Sequence, residues 1–495
     1  SAFLYTDIAH LYARKGNKNK AVDYLEKAVK IDPDYALAHI LMGEIYNSLQ
    51  MDDKAIDAFK KAIETDPQNE KTYLVLATIY AQKKQYENAV RLFEQLILIK
   101  PESYLAYYYL AKIEEERGDY ERSAQYYIKA IDIHPTFSTA YFELGMLYET
   151  DKKLDMAAQT YSKLLEITPD DFNARDRLGH IYIQMNRLDE AFVQFDKITK
   201  IDANRLDSIT KTGLIRFEQR RYDEAIERFT RVLSTNPDLH NVRYYLGVVL
   251  EEKGDIDSAL KEFELIPSED ETFKDSRIHM AYIYEKKKDF DNAVETINEV
   301  IRIKGADPSL FRLSASVQNE SGKKDKAIET IKEAIDIYPD DTELHFALGV
   351  LYDEAKMESE SLIHMYKVLE VNPNHANALN YIGYSYAEKG IKLDEAEDYI
   401  KKALGISPES GHIIDSLGWV YYKKGEIDKA VTELERASIY LPDDPLVAEH
   451  LGDAYFKQSS KEKAVGAYEK AHGLDPDNDG IKAKIEKLKE DLKKK

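Results

Sequence analysis

The chain has no cysteine, a single tryptophan and no apolar run long enough to span a membrane. Without cysteine, disulfides, thiolate catalysis and cysteine-ligated zinc are excluded. The compartment stays open, because reducing and oxidising surroundings both tolerate that absence. With no stretch of about 18 apolar residues, no segment is expected to cross a bilayer. Basic charge is also scarce: 69 Lys and Arg stand against 91 Asp and Glu, a net charge of -22. A nucleic-acid binder needs a basic face, so no nucleic-acid partner is expected. The acidity favours neutral or basic partners.

Chemistry-bearing motifs are missing as well. The 12 histidines are scattered singly, and none forms a metalloprotease-type pair. The glycines occupy repeat positions or turns and build no phosphate loop. Acidic pairs such as Asp340-Asp341 and Asp443-Asp444 follow prolines and read as helix-starting turns. No enzymatic activity, cofactor or metal is expected. The chain opens on Ser1, which a cleaved signal, a removed lipoprotein leader or a cloned segment would each explain.

What the sequence does have is a beat. A small residue returns every 34 positions from Ala9 through Gly43, Gly145 and Gly247 to Gly383, and after one extra residue at Gly418 and Gly452. Counting each unit from seven residues before its small residue gives fourteen units over residues 2–478. Position 8 is Gly nine times and Ala five times; position 20 is Ala or Ser throughout, as at Ala21, Ser123, Ser361 and Ala464. Position 11 is often Tyr (Tyr46, Tyr148, Tyr386), and position 24 is aromatic or aliphatic (Phe59, Phe93, Tyr161, Phe195, Phe229, Phe263). Position 32 is usually Pro (Pro33, Pro101, Pro237, Pro442).

Each preference has a cause. Apolar residues recur at helical spacing in two runs per unit, broken by polar turns such as Lys15-Gly16-Asn17. Glycine inside a helix costs roughly 0.5–1 kcal/mol relative to alanine. Its use at position 8 therefore requires a second helix passing too close for a side chain. Position 20 is read as the matching half of that contact, and position 24 as filling the space between neighbouring units. Proline at position 32 ends the second helix.

This pattern resembles the tetratricopeptide repeat, a helix–turn–helix of 34 residues, over nearly the whole chain. The family's usual Trp at position 4 is mostly replaced here. The resemblance implies an all-α fold: a right-handed α-solenoid superhelix of about fourteen such units, first helices lining the concave face. Residues 479–495 are read as a capping helix, with Ile481, Ile485, Leu488 and Leu492 in one apolar stripe and seven lysines around it.

The eighth unit departs most, because Pro267 comes four residues early. The stretch Pro267-Ser268-Glu269-Asp270-Glu271 should shorten its second helix. It divides the chain into an array over 2–266, an irregular joint over 267–275 and a second array over 276–478; a local loop that leaves the stacking intact is the alternative. The twelfth unit carries its extra residue in the inter-helix turn around Ile391.

In this family positions 2, 5, 9 and 12 of the first helix face the groove. That assigns Tyr108, Phe142, Tyr244, Tyr282, Asn380, Tyr384, His412, Asp415, Trp419 and Tyr422 as candidate partner-binding residues. Glu115, Glu149, Glu251, Glu285 and Asp353 give position 12 an acidic flavour. Aromatic anchors with scattered polar groups suit peptide capture, although Tyr, with 36 copies, also serves as the general packing residue. Trp419 is expected to contact either an adjacent helix or a partner. Asn380 and Asp415 would satisfy a peptide backbone or bond each other. No three consecutive repeats supply the Lys, Asn and Arg set with which chaperone-binding members clamp an acidic C-terminus.

The expected function is a protein–protein interaction scaffold binding a peptide or protein in its groove. Self-association, or service as a non-catalytic adaptor subunit of an enzyme complex, is the alternative. The helices carrying Asn380-Tyr381-Ile382-Gly383-Tyr384 and Asp415-Ser416-Leu417-Gly418-Trp419 look like a segment recurring in bacterial members, many of them envelope proteins. That favours a periplasmic or outer-membrane-associated location over a cytoplasmic one.

Overall fold

The computed structural model describes residues 1–493. They form twenty-nine helices, with no strand among the described residues. The fold is an all-α solenoid of stacked helix pairs. A typical repeat has a first helix of 13 residues and a second of 14, as in Ala36–Ser48 and Asp52–Thr65.

The turn inside each pair is the same throughout. Its middle residue, position 15, has positive φ whether it is glycine, as at Gly16, Gly118 and Gly425, or not, as at Gln50, Lys84 and Lys288. The longer twelfth turn uses two such residues, Gly390 and Lys392. An L-residue pays roughly 1–2 kcal/mol in this region, which outweighs glycine's backbone entropy. Lys288→Gly should therefore stabilise the chain by about 0.5–1 kcal/mol, read as a raised midpoint in thermal unfolding.

Position 8 is glycine because position 24 of the same repeat lies on it. A Cβ on Gly43 would come within 2.6 Å of the Phe59 ring, and one on Gly179 within 2.6 Å of Phe195. Tyr161 covers Gly145 and Phe229 covers Gly213 in the same way. Position 24 also fills the space between neighbouring units, as the sequence implies: Phe93 stacks on Tyr109 of the next repeat at 5.7 Å and Phe263 on His279 at 5.3 Å. Position 20 contributes through its backbone, the Ala396 carbonyl lying 2.9 Å from a Cβ built on Gly383.

Position 4 has a second use. His39 Nε2 lies 2.8 Å from the Pro33 carbonyl oxygen, His345 Nε2 lies 2.9 Å from that of Pro339, and Arg243 donates to Pro237 at 2.9 Å. A donor at position 4 thus satisfies a carbonyl left open where the preceding second helix has ended.

Adjacent repeats are also tied by a recurring polar clasp. Position 14 donates to the acid at position 18 of the preceding repeat: Lys83 to Asp53 (3.3 Å), Lys253 to Asp223 (2.6 Å), Lys287 to Asp257 (3.0 Å) and Gln458 to Asp428 (2.9 Å). In the thirteenth repeat Lys424 reaches both Asp394 (2.7 Å) and Glu397 (2.5 Å). The acids at position 18, Asp53, Asp223, Asp257, Asp394 and Asp428, sit in the first turn of a second helix, where the helix dipole favours them. Exposed pairs of this kind add little stability; what they add is register.

The chain divides into two compact units, Ser1–Lys253 and Gly254–Lys495. The irregular stretch around Pro267 lies inside the second. Its helix Ile256–Glu264 has only 9 residues. Arg277 serves the shortened end: its guanidinium donates to the Phe263 carbonyl at 2.8 Å and to that of Ile266 at 3.5 Å. The same group lies 4.4 Å from the centre of the Phe273 ring.

Asp307 caps the helix Pro308–Glu320, accepting from Ser309 N at 2.9 Å. The Lys274 ammonium at 2.5 Å and the Ser309 hydroxyl hold its carboxyl down to about 2. A depressed folded value means stability that is complete above the unfolded value near 3.8 and lost as pH falls through about 2. Asp307→Asn should flatten that part of the acid unfolding profile.

The last helix, Asp479–Lys493, covers the fourteenth repeat. Ile481, Ile485 and Leu488 are buried in one cluster with Tyr468 and Ala471. Lys484 reaches Glu449 at 2.8 Å and Asp453 at 2.7 Å. Among the described residues no helix is long and apolar enough to cross a membrane.

Candidate partner-binding groove

Four of the ten sequence-assigned residues meet in one place. Asn380 and Tyr384, on the helix Ala376–Lys389, and His412 and Asp415, on Gly411–Lys424, line a single open pocket of about 320 Å³. Phe346 and Leu446 line it too, so four successive first helices contribute.

Its polar groups differ in how far they are satisfied. Asp415 is buried, and both carboxylate oxygens lie 3.0–3.1 Å from His450 Nδ1. Asn380 does not bond Asp415; its Oδ1 is buried and has no hydrogen-bond partner. His412 is exposed. Burial drives the Tyr384 phenol well above its ordinary value, with Glu388 and Asp415 adding to the effect.

Trp419 is not an open groove aromatic. It is 7% exposed, and its ring is stacked between His450 at 4.0 Å and Tyr422 at 4.7 Å. Its indole N–H donates to Glu388. Of the two contacts the sequence allows for Trp419, the structure shows the one with adjacent helices. The aromatic stack forms a wall beside the pocket and fixes Asp415 through His450.

The remaining assigned residues are dispersed. In the first unit, Tyr108 packs edge-on against Phe137 at 5.2 Å, and burial pushes its phenol up to about 12, with Glu143 contributing. Phe142 lies edge-on to Tyr161 at 5.8 Å beneath the Arg177 guanidinium. Tyr244 neighbours Tyr245. In the second unit Tyr282 is 44% exposed and lies outside the pocket.

The acidic flavour of position 12 has a structural user. Tyr127 donates to Glu115 at 3.0 Å and Tyr161 to Glu149 at 2.5 Å. Tyr381 donates to Asp353 at 2.6 Å. Buried phenols at position 24 and a half-buried one at position 6 thus engage several of these carboxylates.

His450 and Glu388 escaped the sequence reading. They lie 35 and 31 residues from the partners they hold, one repeat away and on positions not assigned to the groove. Scanning for complementary pairs at offsets of one repeat would have found them, as it would the position 14 clasp.

Stacked helix pairs presenting a side-chain-lined groove define an α-solenoid protein-interaction scaffold. Tetratricopeptide repeat models match residues 4–35, 36–69, 138–171, 173–205, 275–307 and 309–341, then 53–113 and 216–281, 416–479, and 105–136. The chain belongs to the tetratricopeptide repeat family. A TPR repeat-containing protein of Pseudomonas aeruginosa is 36% identical over 70 residues, which are 14% of this chain and 12% of that protein. The match thus spans about an eighth of that relative's length.

Among solved structures, the Cut9–Hcn1 hetero-tetramer is similar at 14% identity and a TM-score of 0.40, over 97% of this chain and 95% of the other. YrrB, described as a TPR protein with an unusual peptide-binding site, is similar at 21% identity and a TM-score of 0.32, over 38% of this chain and 97% of its own.

Proposed function

We propose that the second unit binds an extended segment of a partner protein across the pocket lined by Asn380, Tyr384 and His412. The observation that carries this is the Asn380 side chain: a buried acceptor with no partner, on the wall of an open pocket. An unpaired buried acceptor is costly, and a peptide N–H would satisfy it. Tyr384 and Phe346 supply apolar area for a side chain beside that bond. The pocket's one buried carboxylate, Asp415, faces His450, so recognition is of backbone and apolar groups. The chain's overall charge of -22 adds a preference for neutral or basic segments.

A displayed library of random peptides panned on the full chain tests this. Selected peptides should bind Asn380→Ala about threefold to tenfold more weakly, the loss expected for one hydrogen bond. Unchanged Trp419 emission would show the fold intact. Failure to enrich any peptide, or equal affinity for Asn380→Ala, would reject the site.

A further inference from the structure

One junction between second helices is finished differently from the rest. Position 25 of one repeat faces position 19 of the next across such a junction, as the ion pair of Glu435 with Lys463 at 3.7 Å shows. Position 19 is polar or charged in thirteen of the fourteen repeats, as at Lys54, Arg122 and Glu360, and is Met156 in the fifth. Position 25 is polar or charged in twelve, Tyr366 in the eleventh, and aliphatic only at Ile128 in the fourth. The two departures therefore fall on the same junction.

Ile128 and Met156 are 41% and 43% exposed. They flank an open pocket of about 250 Å³ between the helices Tyr120–Ile133 and Leu154–Ile167, with Tyr141, Leu144 and Tyr148 also lining it. That is less than the roughly 300–1,000 Å³ of a small-molecule site, and it suits one inserted side chain. Where other junctions set polar groups towards water, this one presents an apolar pair around a cavity.

The rim of the pocket is charged. Asp132 lies one turn beyond Ile128, and Lys163 two turns beyond Met156, each on the same face of its helix as the apolar residue. Both are exposed, and neither makes an ion pair among the described residues. One helix thus offers an apolar residue and a free acid, and its neighbour an apolar residue and a free base. That arrangement is complementary to itself. A two-fold axis running between and along the two helices would set Tyr120–Ile133 of each copy against Leu154–Ile167 of the other. Asp132 then meets Lys163 of the second copy, and the same contact occurs twice.

We propose that this patch is the contact surface between two copies of the chain, closed by Ile128 and Met156 and paired by Asp132 and Lys163. Met156, unbranched and flexible, is the side chain that fills the second copy's pocket. A partner of one charge sign would leave one of the two rim groups unpaired; a second copy leaves neither. The patch is small, so the association is weak and reversible. The net charge of -22 opposes it over the rest of the surface, and ordinary salt screens that repulsion.

Sedimentation equilibrium of the full chain, from micromolar to millimolar concentration, tests this. A monomer–dimer equilibrium is expected. Met156→Glu, at an exposed position, should weaken it at least tenfold without loss of helicity. Asp132→Lys and Lys163→Asp should each dimerise far more weakly alone, because like charges then meet at both contacts. Mixed together, these two variants should dimerise again, since acid faces base at both contacts of the mixed pair. A chain that stays monomeric throughout overturns the proposal. So does a dimer indifferent to Met156→Glu, or a mixture of the two charge variants that stays monomeric.

Discussion

Gly179→Leu should destabilise the first unit by about 1–3 kcal/mol through overpacking, and Phe195→Ala by about 3–5 kcal/mol through the cavity it leaves. Carried together, they should cost clearly less than their sum. The Phe195 ring occupies the space a Gly179 side chain would need, its nearest atom 2.6 Å from the Cβ position. A leucine entering where the phenyl has gone refills that volume. Compensation should be partial, because the ring also meets His180 edge-on at 5.4 Å and lies beneath the Lys211 ammonium at 5.2 Å. Urea unfolding followed by circular dichroism measures the cycle. Strict additivity would mean that Gly179 and Phe195 are not a packing pair.

His450→Ala should destabilise the second unit by about 3–5 kcal/mol, the usual cost of leaving a buried charge without its partner. Asp415 is 5% exposed and both its oxygens face His450 Nδ1. The substitution also strips one face from Trp419, whose ring centre lies 4.0 Å from that of His450. Trp419 is the only tryptophan, so its emission should move to longer wavelength as the stability falls. His450→Gln keeps a donor for Asp415 and should recover part of the loss. A neutral effect of His450→Ala on both readouts would contradict the account of this wall.

The fold was almost fully legible because its signal is repeated. A small residue at the same helical position in fourteen units makes the period unmistakable, and its being glycine in nine of them demands a close neighbour. The early Pro267 correctly foretold a short helix. The compensation by Arg277 was not readable, because the carbonyls it serves, those of Phe263 and Ile266, become open only once the helix has ended there. Position 24 does meet the next repeat, as Phe93 meets Tyr109; its cover over position 8 of its own repeat is not readable, since periodicity gives a side chain's face and not all its contacts.

The site was legible in part for the same reason. Assigning groove positions brought Asn380, Tyr384, His412 and Asp415 to one pocket. It did not separate Trp419 from them. Position 9 faces the groove by register, and whether it stays open depends on position 6 of the next repeat. There His450 closes over the indole, whereas Tyr282 at the same register is 44% exposed.

Photo-crosslinking from two positions tests the central claim most directly. One variant carries a photoreactive residue in place of exposed His412 on the pocket wall. The other carries it in place of Ile439, 77% exposed on the second helix of the same repeat. A peptide selected on the full chain should crosslink efficiently from position 412 and not from 439. Equal crosslinking from both, or crosslinking from 439 alone, would contradict a binding groove built around Asn380.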